Sequence, residues 1–408
     1  MHAVGDPKIV LVLGGGVGGL VTAVSLRKKL PASHRIILVD RERDHLFQPS
    51  LLWLMTGARR PEQIVRSLER LTKKGIEVIL GSVESIDPER RQAVVNGTTY
   101  SGDFMVIALG AELAPESIPG LSEAGYSLYT LEAVQRLQEA FRGFNSGRLV
   151  VLTAAPSYKC PAAPYEAAML LEAGLRKRKV RQQVKIDLYA AEPGPMGVAG
   201  PDVSAALRGM VEAKGISYHP EHQIASVDPQ TKRLHFANGT EAEFDLLAFV
   251  PPHRAPKAVR EGSLVNEAGW IPVDRSTLQT RFEGIFAIGD ITTIPLKLGK
   301  PLPKAGVFAH GQAKVVANNL AHVITGKGHP TAFTGHGDCF VEIGDGRAAL
   351  GAGNFYGTNA TNPDEGPRLA LAFREGDVRE TVALALVLKP RFAGFLQPTA
   401  FSVPVPAP

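Results

Sequence analysis

The stretch Leu152–Leu171, LTAAPSYKCPAAPYEAAMLL, contains one of the two cysteines in this 408-residue chain, followed by a carboxylate. Cys160 can supply a thiolate nucleophile, and Glu166 can take or give a proton beside it. The preceding run, Arg148–Thr153, is of strand type, and the following residues favour a helix. The stretch therefore indicates a redox-active sulfur at the mouth of a strand–loop–helix unit.

The loop of this unit lacks the glycines that a dinucleotide-binding loop requires. Such glycines let the backbone approach a pyrophosphate at the N-terminus of the next helix. Pro156, Pro161 and Pro164 instead stiffen the loop and remove amide donors. We therefore interpret the loop as an electron-entry site that has lost a nicotinamide and gained a sulfur.

The N-terminal segment carries a complete dinucleotide-binding fingerprint. Ile9–Leu13 predicts a buried parallel strand, a helix is expected through Leu30, and Arg35–Asp40 predicts the second strand. The motif G-x-G-x-x-G and its spacer include Gly14, Gly16, Gly18 and Gly19. Asp40 ends the second strand at the spacing where a carboxylate accepts a ribose hydroxyl. Together these features predict an adenine dinucleotide site.

Two later segments resemble the remaining signatures of flavoproteins that bind two dinucleotides. Phe104–Ala111 is predicted as a buried strand, with Gly110 where such proteins close the FAD site. Gly284–Asp290 is predicted as a strand ending in Gly289 and Asp290, and the resemblance implies that this aspartate binds the ribityl chain. Three signatures in this order favour a glutathione-reductase-like fold, and we predict FAD as the cofactor.

A lysine precedes the last predicted helix. The segment Pro303–Ala309 leads into a helix expected over His310–Ile324. Lys304 and the helix N-terminus are suited to stabilise negative charge at N1 and O2 of a reduced flavin. We therefore assign Lys304 a catalytic and cofactor-binding role, with Ala305 and Gly306 as further cofactor-binding residues. The alternative is a surface lysine.

Three segments, KCPAAPYE, GDCF and LPKAGVFAHGQA, together with the FAD signatures, resemble sulfide:quinone oxidoreductases and the similar flavin subunit of flavocytochrome c sulfide dehydrogenase. The resemblance runs from about residue 8 to residue 357. It implies that Cys160 and Cys339 meet over the flavin, where Cys339 forms an adduct at C4a. It also implies that Cys160 accepts sulfide sulfur as a persulfide or polysulfide bridge, that Glu166 is the acid/base, and that quinone receives the electrons.

The chain departs from this family in two places. Tyr129 stands where many members have a third cysteine. The C-terminal amphipathic helices that hold such proteins on the membrane are poorly matched, because Pro390 and a proline-rich end would interrupt them. Sulfide as the donor is therefore better supported by sequence than quinone as the acceptor.

Length and composition indicate a globular α/β protein of two or three domains. We predict two Rossmann-like dinucleotide-binding domains and a small C-terminal α+β domain. The FAD domain is expected over residues 1–112 and 244–330, and the second Rossmann-like domain, without a glycine loop, over 113–243. Residues 331–408 are expected to cover the flavin.

Charge and hydropathy limit the partners. The net charge of +5 and isoelectric point near 9.1 favour an anionic membrane face or substrate. The basic run RKRKVR at 176–181 is interpreted as a solvated helix end, so no nucleic-acid partner is expected. Neither a signal peptide nor a spanning run of roughly 18 apolar residues is evident. We expect a cytoplasmic protein with at most peripheral contact on the cytoplasmic membrane face, no metal site, and an oligomeric state that the sequence leaves open.

Other interpretations stay open. A flavocytochrome c-type protein would use a cytochrome as acceptor, which the missing export signal disfavours. A single-subunit NADH:quinone oxidoreductase shares the FAD framework but needs a glycine-rich loop, and Ala154–Pro164 contains no glycine. A flavin redox sensor would use the thiols without turnover. The apolar run Leu51–Met55 is interpreted as core, with an entrance for quinone or lipid as the alternative.

Overall fold

The computed structural model describes residues 6–357 and the backbone of residues 368–372. Its α-helices are α1 Val17–Lys29, α2 Leu51–Met55, α3 Pro61–Ile64, α4 Leu121–Ala124, α5 Leu131–Gly143, α6 Ala163–Lys177, α7 Pro201–Glu212, α8 Lys257–Arg260 and α9 Gly306–Thr325. The sequence interpretation of the tail around Pro390 lies outside the described residues.

The strands follow in chain order. They are β1 Ile9–Leu13, β2 Arg35–Asp40, β3 Asp44–Leu46, β4 Val65–Ser67, β5 Glu77–Leu80, β6 Val83–Asp87, β7 Gln92–Val95, β8 Thr98–Ser101, β9 Phe104–Ile107, β10 Glu112–Leu113, β11 Tyr126–Ser127, β12 Gly147–Thr153, β13 Val184–Ala190, β14 Ser217–His219, β15 Ile224–Asp228, β16 Arg233–Phe236, β17 Glu241–Glu243, β18 Leu246–Val250, β19 His253–Arg254, β20 Ile271–Pro272, β21 Ile285–Ala287, β22 Thr292–Thr293, β23 His336–Gly344, β24 Arg347–Asn354 and β25 Arg368–Ala372.

A five-stranded parallel sheet, in the order β21-β9-β1-β2-β5, forms the first framework. Successive side chains of β1 alternate between its two faces. Val10 and Val12 join one buried cluster, while Leu11 and Leu13 join another. The strand is a continuous apolar run because both faces of the sheet are covered. Helices α1 and α9 pack against each other on the face of Val10 and Val12.

A second five-stranded parallel sheet, in the order β11-β18-β12-β13-β14, repeats this arrangement. Leu149 and Val151 of β12 pack with residues of α5 and α6, and Val150 and Leu152 pack with the antiparallel strands β15–β17. The carboxyl end of β12 leads into the loop that carries Cys160. The two parallel sheets confirm the predicted α/β fold class with Rossmann-type architecture.

A third sheet supplies the second cysteine. Strands β23, β24 and β25 are antiparallel, and Cys339 of β23 pairs with Gly351 of β24. Helix α6 packs directly against β23. The sequence-distant segments that carry Cys160 and Cys339 are thereby brought onto neighbouring elements.

Several element boundaries differ from the sequence predictions. The strand predicted over Phe104–Ala111 is β9, which ends at Ile107. Helix α6 begins at Ala163 instead of Tyr165, because Pro164 suits a first helical turn. Helix α9 begins at Gly306 instead of His310, directly after the extended residue Ala305. The last FAD-signature strand is limited to β21, because Gly289–Ile291 forms a 3₁₀ turn.

The apolar run Leu51–Met55 is the helix α2, and all five of its side chains are buried. The core interpretation is therefore confirmed. Among the residues that the structure describes, no helix combines the length and hydropathy needed to cross a membrane.

Candidate functional site

Cys160 occupies a strained position in the loop between β12 and α6. Its φ of +51° lies in the left-handed region, which residues with a side chain seldom adopt. The Cys160 N–H donates to the Lys304 carbonyl at 2.7 Å, and its own carbonyl accepts from the Ala163 N–H at 2.9 Å. The Tyr129 hydroxyl donates to the carbonyl of the preceding residue, Lys159, at 2.5 Å. These contacts hold the cysteine in one backbone conformation.

Glu166 connects the segments of the two cysteines. It lies in the first turn of α6 and is only 7% exposed. Its Oε1 accepts a hydrogen bond from the backbone N–H of Glu342 at 2.8 Å. Glu342 belongs to β23, the strand that carries Cys339. The carboxylate is thus fixed between the helix that follows Cys160 and the strand of Cys339.

The electrostatics couple these three groups, because Glu166 acts on the pKa of both cysteines and Cys339 acts on that of Cys160. Burial raises the pKa of Glu166 to about 8; the Glu342 N–H opposes this shift and the Glu342 charge adds to it. Burial, then the charge of Glu166 and then Cys339, raise the pKa of Cys160 well above its ordinary range. Burial and then Glu166 raise the pKa of Cys339 to about 12. Both cysteines are free thiols and partly exposed, and each thiol holds its proton at neutral pH.

Two lysines and an aspartate lie beside the cysteine loop. Lys304 is buried, and its Nζ donates to the carbonyls of Asp290 at 2.6 Å and Thr292 at 3.2 Å. Burial lowers the pKa of Lys304 to about 8, against the charge of Asp290. Burial also lowers the pKa of Lys159, which Asp290 and Cys160 oppose. The alternative of a surface position for Lys304 is wrong, because the side chain is buried. Its Nζ lies 3.4 Å from the centroid of the Trp270 ring.

The residues predicted to bind a cofactor gather at the carboxyl ends of the first sheet. They are Gly14, Gly16, Gly18 and Gly19 between β1 and α1, Asp40 at the end of β2, Gly110 after β9, Gly289 and Asp290 after β21, and Lys304, Ala305 and Gly306 at the start of α9. Parallel strands that end at one edge of a sheet form the crevice in which dinucleotides bind.

The glycine loop itself fits a dinucleotide. A side chain at Gly14 would clash with the Ala108 carbonyl, and one at Gly19 would clash with the Gly14 carbonyl. Gly16, in contrast, faces open space, and no side chain among the described residues caps the N-terminus of α1 there. Free amide donors beside an open glycine suit a pyrophosphate. These residues therefore fit the phosphates of FAD.

The corresponding position in the second sheet is closed by side chains of the protein. Glu192 follows β13, and its Oε1 accepts hydrogen bonds from the hydroxyls of Tyr158 at 2.5 Å and Tyr165 at 2.8 Å. Its Oε2 accepts from the Thr153 hydroxyl at 2.8 Å. Tyr158 belongs to the cysteine loop, so this carboxylate anchors that loop.

Sequence reasoning missed several of these residues. Lys159 directly precedes Cys160, and its adjacency to the cysteine was a usable signal. Glu342 and Glu192 had none, because each acts through partners far away in the chain.

Residues 8–313 match the family model described as pyridine nucleotide-disulphide oxidoreductase, and the chain belongs to this family. The prediction of an FAD-dependent oxidoreductase is confirmed at the level of the family.

Comparisons with individual proteins are more specific than the family model. The chain is 26% identical over 354 residues to the mitochondrial sulfide:quinone oxidoreductase of Mus musculus, which covers 84% of this chain and 77% of that protein. It is 29% identical over 376 residues to the sulfide-quinone reductase of Aquifex aeolicus, covering 88% and 85%. The solved sulfide:quinone oxidoreductase of Aquifex aeolicus superposes with a TM-score of 0.78 at 26% identity, over 90% of this chain and 87% of that one. The predicted resemblance is confirmed.

Proposed function

We propose that this protein is an FAD-dependent sulfide:quinone oxidoreductase that works through Cys160, Cys339 and Glu166. The observation that carries this proposal is the convergence of the only two cysteines of the chain with one buried carboxyl group. Relatives named for the same activity support it.

The first step starts from a sulfur bridge between the two cysteines, and forming that bridge from the free thiols releases two electrons and two protons to the same acceptor as the second step. Hydrosulfide attacks the sulfur of Cys160, the bond to Cys339 breaks, and a persulfide forms on Cys160. Cys339 leaves as a thiolate and takes a proton from Glu166, whose raised pKa keeps it protonated at neutral pH. The two electrons of the sulfide sulfur are then held in the persulfide and thiol pair.

The second step restores the bridge with one additional sulfur. Joining the persulfide to Cys339 releases two electrons and two protons. Glu166 takes back one proton, and the other leaves with the electron pair. When bound, FAD would supply the acceptor for these electrons, with quinone as the final acceptor.

The first sheet is proposed to hold FAD. Free amides at the start of α1 would bind the phosphates, Asp40 the ribose, and Asp290 the ribityl chain. Lys304 and the N-terminus of α9 would stabilise negative charge on the reduced ring system. Because quinones dissolve in the bilayer, this function also requires peripheral membrane contact, which the net charge of +5 favours at an anionic surface.

The closed Glu192 position weighs against NADH as the donor. A nicotinamide dinucleotide would need an open carboxylate for its ribose and glycines for its phosphates. Here three hydroxyls of the protein already donate to Glu192, and the loop is stiffened by prolines.

The test is an anaerobic absorption spectrum of the purified holoprotein before and after sulfide, and separately after NADH. We expect sulfide to bleach the flavin band far faster than NADH does. Steady-state turnover with sulfide and a soluble quinone then separates an enzyme from a redox sensor, and a cytochrome in place of quinone tests the flavocytochrome alternative. Rapid bleaching by NADH alone would contradict the proposal.

A further inference from the structure

An aromatic ring and two carbonyls enclose the ammonium group of Lys304. Its Nζ lies 3.4 Å from the centroid of the Trp270 ring and donates to the carbonyls of Asp290 at 2.6 Å and Thr292 at 3.2 Å. A lysine ammonium has three N–H donors. Two carbonyls and one ring face are therefore enough to accept all three. In the described part of the chain, no carboxylate forms an ion pair with this buried cation.

The backbone around Trp270 fixes the place of its ring. Trp270 directly precedes β20, which pairs with β22 so that Ile271 lies opposite Thr292. The Trp270 N–H donates to Asn266 Oδ1 at 3.3 Å, and its carbonyl accepts from the Asn266 N–H at 3.0 Å. The same pair of short strands thus presents the ring and the Thr292 carbonyl to Lys304.

We propose that Trp270 is a positioning residue for Lys304, whose ring holds the ammonium group in one place so that it acts on bound flavin as a fixed positive charge. The inference deepens the proposed function and rests on the assignment of Lys304 to the flavin site. The Lys304 carbonyl also accepts from the Cys160 N–H at 2.7 Å. Holding Lys304 therefore also fixes the charge relative to the cysteine.

The physical basis is the attraction between a cation and the negative face of an aromatic ring. Burial disfavours a lysine cation, and here it lowers the pKa of Lys304 to about 8, against the charge of Asp290. A ring face favours the cation, most strongly where water is excluded and where the ring is that of Trp. Trp270 therefore offsets part of the effect of burial and keeps Lys304 charged at neutral pH.

The other ionisable groups that act at this site are Asp290, Lys159 and His253. Burial raises the pKa of Asp290, and the two lysines oppose this shift. Burial and then Lys159 lower the pKa of His253 to about 3, and Lys304 adds to this effect. His253 is therefore neutral over the range in which Lys304 titrates. Burial also lowers the pKa of Lys159, which Asp290 opposes.

The decisive variant is Trp270→Leu in the FAD-loaded protein, with Trp270→Phe as the matched control. Leu removes the ring face, whereas Phe retains one. A cation–π contact in a desolvated site is strong enough to move a pKa by about one unit. The readout is the midpoint potential of the flavin as a function of pH. In wild type this profile should bend near pH 8, where Lys304 loses its charge, and Lys304→Met should remove the bend.

In Trp270→Leu the bend should move to lower pH by about one unit, and Trp270→Phe should restore most of the shift. At about pH 6, where Lys304 is charged in both proteins, Trp270→Leu and wild type should have the same potential. A bend that does not move overturns the inference. A bend that moves in a holoprotein that sulfide does not reduce would overturn the proposed function and leave the role of Trp270 intact.

A folding defect in Trp270→Leu would leave a measurement on the wild-type side chain. The chain has two tryptophans, so the nitrogen–proton NMR spectrum of the holoprotein contains two indole signals, and Trp53→Phe assigns them by removing one. The Trp270 signal should titrate near pH 8 in wild type and lose this titration in Lys304→Met, with the Trp53 signal as the internal reference. A Trp270 signal that behaves alike in both proteins would overturn the inference.

Discussion

The two parallel sheets use the same framework for opposite purposes. In each, a buried apolar strand runs into a loop and then a helix: β1 into α1, and β12 into α6. The first loop contains glycines where side chains would clash, and leaves open space at Gly16. The second contains prolines and a cysteine in the left-handed conformation. The shared framework therefore fixes the position of each loop. The residues of the loop determine whether it suits a dinucleotide or carries a redox-active cysteine.

The acidic residue near the end of the next parallel strand, Asp40 in β2 and Glu192 just after β13, shows the same contrast. Asp40 accepts hydrogen bonds from the backbone N–H groups of Gly15 and Glu42 and remains partly exposed. Glu192 is also partly exposed, but it accepts hydrogen bonds from three side-chain hydroxyl groups of the protein. A carboxylate that binds only nearby backbone N–H groups can still receive a ribose, whereas one that binds three side-chain hydroxyls anchors the neighbouring loop. In the second sheet, side-chain hydroxyls thus donate to Glu192. In the first sheet, no side-chain hydroxyl among the described hydrogen bonds donates to Asp40, which is left to bind a ribose.

The largest effect is expected from substitution of either cysteine. Cys160→Ser or Cys339→Ser should abolish sulfide-dependent flavin reduction, because a hydroxyl can neither form the sulfur bridge nor leave as a thiolate. FAD content should stay at the wild-type level, since Ser is nearly isosteric and the glycine loop lies in the other sheet. Stopped-flow absorbance with sulfide measures the rate. Full activity in either variant would contradict the proposal that the two cysteines oxidise sulfide while the first sheet binds FAD.

The proposed FAD site in the glycine loop after β1 is tested at Gly16. Gly16→Val points a branched side chain into open space, so the apoprotein should fold while FAD binding is lost. Gly19→Val is the matched contrast, because its side chain would meet the Gly14 carbonyl and the fold itself should suffer. Flavin content and the circular dichroism spectrum separate the two outcomes. Undiminished flavin in Gly16→Val would remove the FAD site from the first sheet.

Sequence predicted the strands of both frameworks well, because their apolar runs are local signals. Strands β1 and β2 have the predicted bounds. The predicted start of α9 was wrong, because the alanine that precedes the helix, Ala305, has no side chain that could cap it and so gives no signal in the sequence. The Glu166–Glu342 contact joins residues 176 positions apart, and no local pattern encodes it. Packing of α6 on β23 creates it.

Glu166→Gln should slow sulfide-dependent reduction less than the cysteine variants do. General acid–base catalysis typically contributes about 100- to 10,000-fold, and water can replace part of it. Gln retains an oxygen that can accept from the Glu342 N–H, so the cluster geometry is kept. The rate, measured at several pH values, should also lose the limb near pH 8 that Glu166 provides. A rate equal to the wild-type rate would exclude the carboxyl from proton transfer.

The raised pKa of Glu166 predicts a pH-dependent stability. Unfolded Glu166 ionises near its ordinary value of 4.5, whereas the folded group ionises near 8. Between these values the folded state binds more protons, so the stability contribution of this group decreases as pH rises from about 4.5 to 8. The melting temperature of Glu166→Gln relative to wild type should therefore increase over this range. A difference that stays constant with pH would contradict the raised pKa.

The smallest effect is expected at Tyr129. Its hydroxyl donates to the Lys159 carbonyl and supports the strained backbone of Cys160. Tyr129→Phe removes this hydrogen bond at a cost of about 1 kcal/mol, which corresponds to roughly a fivefold change in equilibrium. We expect sulfide-dependent reduction to slow by a similar factor, with FAD content unchanged. Tyr126→Phe is the matched control, because that ring packs near Arg136 and makes no described hydrogen bond to the cysteine loop. Equal rates in the two variants would show that the loop holds its conformation without the Tyr129 hydroxyl.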